Sequence, residues 1–176
     1  MRIINAVIYV LREIDPVWWA LIAALAAALV AARHKARQQA MNLLAVYVAA
    51  VFVITVLGRT GVEGAGYSDL VNLDLIGTWT GRIGGDEYDR RELFLNFFML
   101  MPAGFLFPAA AKKKLVPTLI FCFLLTLSVE TLQLLTRRGW FELNDIADNT
   151  VGAVIGYGLY RLVSFLWRKV KCKRNN

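Results

Sequence analysis

A chain of 176 residues with 58% hydrophobic and 19% charged side chains, its apolar residues gathered in long runs, is too apolar for a soluble domain of this size. The formal charge of +7 comes from basic residues clustered beside those runs, a placement that excludes a nucleic-acid-binding face and fits membrane topology signals. Cys122 sits in an apolar run and Cys172 in a basic tail, so no disulfide is expected.

Residues 1–15 set Ile3, Ile4, Val7, Ile8 and Leu11 on one helical stripe, with Arg2, Asn5, Arg12 and Glu13 off it, until Asp15-Pro16 breaks the pattern. This predicts an interfacial amphipathic helix. The following apolar run ends in Arg33-His34-Lys35 with no small-residue cleavage pattern, so no cleaved signal peptide is expected. Residues 16–57 hold the first two spans. One is Val17 to Ala32, opened by Trp18-Trp19 and rich in alanine; the other runs from about Met41 to Leu57.

The loop over 58–92 carries eight of the thirteen glycines. Its apolar centre, Leu70 to Trp79, predicts a segment returning to the membrane surface, and Gly81 to Asp89 a flexible stretch. Residues 93–167 form a core of three spans: Leu93 to Ala111, kinked at Pro102; Leu115 to Leu135, with Pro117 in its first turn; and a last span from near Asp145 to near Trp167. Residues 168–176 are a basic tail. The expected fold is all-α and polytopic, with about five transmembrane helices.

Orientation follows from the loops. Arg33, Lys35 and Arg37, then Lys112-Lys113-Lys114, then Arg168, Lys169, Lys171, Lys173 and Arg174 occupy alternate connections free of acidic residues. The positive-inside rule therefore predicts a multi-pass protein of the cell membrane, N-terminus outside and C-terminus cytoplasmic.

Polar side chains concentrate between the last two spans. With span four starting at Leu115, Glu130 lies fifteen residues up the helix, roughly 23 Å into a hydrocarbon layer of about 30 Å. Gln133 follows one turn on, and Arg137, Arg138 and Gly139 close the helix. On span five Asp145, Asp148, Asn149, Gly152 and Gly156 share one helical face, and Asn96 comes near the outer start of span three. Three helices thus deliver Asn96, Glu130, Gln133, Asp145, Asp148 and Asn149 to one depth, the default functional site of such a chain.

Simpler roles exist for each. Asn144 suits an N-cap, Asp145 and Asp148 complement a helix dipole, Asn96 and Gln133 suit interhelical hydrogen bonds, and Gly104, Gly152 and Gly156 suit close helix packing. Glu130 is hardest to assign this way, because an unpaired carboxyl in hydrocarbon protonates or takes an Arg or a cation. Arg138, eight residues later on roughly the same face, is the expected partner. His34, the only histidine, lies among cytoplasmic basic residues, which excludes a Ser-His-Asp triad on the outer side. No phosphate-cradling loop or Cys/His cluster occurs, and no metal or cofactor is expected.

Asn96-Phe-Phe-Met-Leu-Met-Pro102-Ala-Gly104, Ser128-Val-Glu130-Thr-Leu-Gln133, and Arg138 followed by Asp145-Ile-Ala-Asp148-Asn149-Thr-Val-Gly152 and Gly156 resemble the VanZ-like family, named for a membrane protein associated with teicoplanin resistance. The resemblance covers the second half of the chain and the second span. It implies a small multi-spanning cell-envelope protein and supplies no agreed reaction. The expected function is an outward-facing polar pocket, made by Asn96, Glu130, Gln133, Arg137, Arg138, Asp145, Asp148 and Asn149, that binds a membrane lipid, a lipid-linked cell-wall precursor or a lipoglycopeptide. Two alternatives stay open: an enzyme acting on lipid head groups, with Glu130 and Asp148 as its acid–base pair, or a structural partner of another membrane protein.

Overall fold

A computed structural model describes residues 36–62, 64, 66–85, 87–112 and 114–174. The expected surface helix over 1–15 and the first span, Val17 to Ala32, lie outside them. The described chain is an all-α polytopic membrane protein, with four stretches long and apolar enough to cross a bilayer: Arg37–Leu57, Leu93–Ala111, Leu115–Thr136 and Leu143–Lys173.

Helix α1, Ala36–Phe52, passes into a π-helical turn, Val53–Leu57, which Gly58 closes by donating its N–H to the Val53 carbonyl. After it come a 3-10 turn, Ser68–Leu70, a two-residue strand β1, Val71–Asn72, and helix α2, Leu75–Gly84. Helices α3, Glu87–Met99, and α4, Met101–Ala111, share one span; α5 is Leu115–Thr136, β2 is Phe141–Glu142 and α6 is Leu143–Arg174. Strands β1 and β2 pair in parallel, Val71 opposite Phe141 and Asn72 opposite Glu142.

Three elements differ from the sequence reading. The stretch from Gly81 to Asp89, expected to be flexible, is helical up to Gly84 and again from Glu87. The third span is broken rather than bent: Leu100, at φ −103° and ψ 3°, separates α3 from α4 and puts Pro102 in the first turn of α4. A proline in mid-helix removes one backbone bond and crowds the preceding turn, so ending one helix and starting another accommodates it. At the break the Tyr47 hydroxyl of α1 donates to the Met99 carbonyl. Finally, α6 runs through the basic tail to Arg174, a helix of 32 residues.

Helix α4 packs on α6 and α1, and α3 and α5 pack on α6. Ala103, Leu106 and Ala110 of α4 are buried with Leu44, Tyr47 and Val51 of α1, Cys122, Leu125 and Val129 of α5, and Ala153 of α6. Phe107 stacks on Phe121 with ring centres 4.3 Å apart. Backbone approaches backbone where α6 crosses the α3–α4 junction. A Cβ on Gly152 would strike the Phe97 carbonyl, one on Gly156 the Met101 carbonyl, and one on Gly104 the Ala153 backbone. Outward faces carry Val46, Ile120, Leu124, Leu159, Leu162 and Leu166, as hydrocarbon requires.

The hydroxyls of Thr118, Ser128, Thr131 and Thr150 each donate to the carbonyl four residues earlier, so these four are satisfied locally. Arg37 donates to the Ala110 carbonyl (2.9 Å), which brings the start of α1 to the end of α4 that carries Lys112. The opposite end of the bundle carries α2, β1, β2 and the start of α6.

Candidate functional site

The site is assembled around Arg82. The Asp74 side chain caps α2 by accepting the Gly77 N–H (2.9 Å), and Leu75, Thr78, Trp79 and Arg82 form its inward stripe at helical spacing. The Arg82 side chain, only 7% exposed, donates through Nη2 to Glu142 (2.8 Å) and through Nη1 to Asp145 (2.9 Å), with Asp148 Oδ2 at 3.8 Å from Nη1. One rigid planar fork therefore holds carboxylates from β2 and from two turns of α6.

The surrounding polar groups complete the frame. Trp79 Nε1 donates to Asp148 Oδ1 (2.7 Å), and Asn96 Nδ2 of α3 donates to Asp145 Oδ1 (2.7 Å). Asn72 Nδ2 of β1 donates to Glu142 Oε1 (3.3 Å) and to Thr78 Oγ1 (3.1 Å). The Glu142 backbone N–H donates to Glu130 Oε2 (3.1 Å), which brings α5 into contact with β2. Asn149 Nδ2 donates to Thr126 Oγ1 (3.0 Å), joining α6 to α5.

Of the residues singled out in the sequence, Asn96, Asp145 and Asp148 meet around Arg82, with Glu130 adjoining through Glu142 and Asn149 one turn deeper. The others go elsewhere. Gln133 is buried but turns to the π-helical turn, donating to the Thr55 carbonyl (2.9 Å). Arg137 lies over the Tyr67 ring, 4.5 Å from its centre. Arg138 donates to the Leu57 carbonyl (2.8 Å) and does not pair with Glu130. The end of α5 explains this. Arg137 itself takes the left-handed conformation (φ 54°), its N–H bonds the Leu134 carbonyl, and the Arg138 N–H bonds the Gln133 carbonyl. This two-bond cap turns the chain at Arg137, not at Gly139, and aims Arg138 back at α1. Gly139 is instead small for space, since a Cβ there would meet the Arg59 side chain at 2.9 Å.

Asn144 is not an N-cap. Helix α6 opens at Leu143, and both side-chain atoms of Asn144 are buried without a hydrogen-bond partner. Asp148 Oδ2 and Asn149 Oδ1 are likewise buried without a hydrogen-bond partner, Asp148 Oδ2 keeping only the 3.8 Å ion pair with Arg82. All three residues are 0% exposed.

Sequence reasoning missed Arg82, Trp79, Glu142 and Asn72. The signal for the first two was present: an aspartate at a helix start, then Leu75, Thr78, Trp79 and Arg82 at i, i+3, i+4 and i+7. Four glycines between Gly77 and Gly85 obscured it. Among the described residues no group of three or more His, Cys, Asp or Glu side chains has the arrangement of a metal site.

A family model of VanZ/LLP1 proteins matches residues 17–164. No curated protein and no solved structure matches the chain. The family match spans most of the sequence, and the chain belongs to the VanZ/LLP1 family.

Proposed function

We propose that this VanZ-like membrane protein binds an envelope amphiphile by its head group, at the buried polar cluster where α2, α3, α5 and α6 meet, and that this cluster opens into a chamber for the head group. The amphiphile is a lipid-linked precursor or a lipid-tailed glycopeptide. One observation supports the reading: Asn149 Oδ1 and the whole Asn144 amide are sealed from solvent without a hydrogen-bond partner, next to Asp148 Oδ2, which has only the ion pair with Arg82 at 3.8 Å. Each such group leaves a desolvation cost of about 1–3 kcal/mol unrecovered, a condition that a bound polar head relieves. Exposed Leu132 and Leu135 on α5 and Val151 and Ile155 on α6 offer apolar flanks for the tail.

In this reading the lysine end of the bundle is cytoplasmic and the chamber opens on the outer leaflet, with the N-terminus outside. Arg137 and Arg138, held by Tyr67 and the Leu57 carbonyl, act at the rim as steering charges for an approaching head group. A lipoglycopeptide whose tail enters the outer leaflet meets the same chamber, and its capture there is the route by which this member contributes to glycopeptide resistance.

The test is lipid analysis of protein purified in mild detergent. Wild type is expected to retain one amphiphile class above its share in the membrane, and Asp148→Asn, at equal abundance, to lose that enrichment. Matching bulk composition in both preparations overturns the reading.

A further inference from the structure

We infer that the phosphate of an anionic lipid docks on an arginine edge formed by Arg59, Arg137 and Arg138, at the end of the bundle opposite Lys112. The inference rests on the binding reading above and names the charge of the head group and the place that holds it. Two stretches of chain meet to build this edge. The π-helical turn Val53–Leu57 packs against α5, the Val62 N–H donates to the Arg137 carbonyl (2.7 Å), and Arg138 Nη1 donates to the Leu57 carbonyl (2.8 Å). Arg59 crosses in the other direction, so that a Cβ on Gly139, the residue after Arg138, would meet its Nη1 at 2.9 Å. The Arg137 guanidinium lies beside them, over the exposed Tyr67 ring.

Each guanidinium carries five N–H donors, and of these three side chains only Arg138, through Nη1, makes a hydrogen bond within the described residues. None of the three forms an ion pair there. Glu130 lies within electrostatic reach of Arg59 but outside ion-pair distance, and the Asp69 carboxylate accepts from the Gly66 N–H (3.0 Å) and the Ser68 hydroxyl (3.2 Å). Topology does not account for such charge, because basic residues favour the cytoplasmic side and this end is the outer one in the reading above. A phosphate does account for it, since its oxygens accept from guanidinium forks. The buried cluster suits that phosphate poorly: Arg82 is occupied by Glu142 and Asp145, and carboxyl groups surround it. A lipid is the source because Leu57, Leu135 and Trp140, all exposed, each lie within two residues of one of the arginines. Leu132, one turn before Leu135, continues this apolar flank down α5.

The experiment is a competition followed by native mass spectrometry. Purified full-length protein is mixed with equimolar phosphatidylglycerol and diglucosyl diacylglycerol of one chain length, and retained adducts are counted. Wild type is expected to retain phosphatidylglycerol about tenfold over the neutral lipid. In Arg59→Gln/Arg138→Gln that preference is expected to vanish, whereas Lys171→Gln/Lys173→Gln, which removes charge at the opposite end, keeps it. Loss of the preference in the tail variant, with the arginine variant unchanged, overturns the inference. A wild-type preference for the neutral lipid also overturns it and leaves amphiphile binding standing; retention of neither lipid overturns both. Displacement of phosphatidylglycerol by millimolar inorganic phosphate at matched ionic strength would make free phosphate the ligand and overturn the lipid assignment. Should the double arginine variant not accumulate, Arg59→Gln alone decides, because Arg59 makes no hydrogen bond whose loss would unsettle the fold.

Discussion

Arg82 joins the site by bringing three carboxylates under one guanidinium, and its substitution tests that arrangement. Arg82→Met is expected to destabilise the protein by about 3–5 kcal/mol, because buried carboxylates lose their counter-charge. Arg82→Lys should recover only part of this, since a single ammonium cannot reproduce the bidentate fork across Glu142 and Asp145. Thermal unfolding in detergent gives both values, and equal stability of Met and wild type would show the cluster to be unimportant for the fold. Glu130 separates binding from turnover. It is 2% exposed and accepts the Glu142 N–H, a role that an amide oxygen also fills. Glu130→Gln is therefore expected to fold and to keep bound amphiphile, whereas a reaction needing it as acid or base would fall by about a hundredfold or more. The depth of Glu130 was legible from helix rise alone, but its partner was not. Which group meets a buried carboxyl depends on where the chain turns, and that turn is set by Arg137 in the left-handed conformation, a geometry that no spacing in the sequence announces.

At the scale of elements, α2 and the glycine seam do separate work. Removing the α2 cap by Asp74→Ala should cost about 1 kcal/mol and loosen the helix that carries Trp79 and Arg82. Co-purified amphiphile should fall while the helical content of the bundle holds; unchanged retention would mean that α2 does not shape the chamber. Gly152→Leu acts on the bundle instead, by driving a side chain into the Phe97 carbonyl where α6 crosses α3. Its membrane abundance should drop sharply, and normal abundance with lost binding would make Gly152 a contact for the ligand. The apolar helices were readable because about 20 apolar residues are what a bilayer demands of a span. Helix α2 was not, because Gly77, Gly81 and Gly84 sit on its exposed side, where composition suggests a loop while the cap and the inward stripe decide the structure. The break at Leu100 was half-readable: Pro102 marks the place, but whether a helix bends or restarts depends on what receives the freed carbonyls, and Tyr47 comes from another helix.

For the molecule as a whole, the account needs the chamber and the lysine end to lie on opposite sides of the membrane. Single cysteines in a background lacking Cys122 and Cys172 should react with an impermeant reagent in intact cells when placed at Ser68, and stay unreacted at Lys112 until the cells are opened. The reverse pattern would place the chamber in the cytoplasm. Such labelling settles orientation but leaves the chamber's occupant open. The measurement that reaches the occupant is photocrosslinking in living cells, with a photoreactive residue at Thr78, beside Asn72 in the chamber wall, and at Leu162, on the exposed face of α6. The account predicts that Thr78 captures one amphiphile class through its head group, that Leu162 captures the bulk lipid mixture, and that Asp148→Asn abolishes the first adduct alone. The same bulk mixture at both positions, indifferent to Asp148, would contradict it.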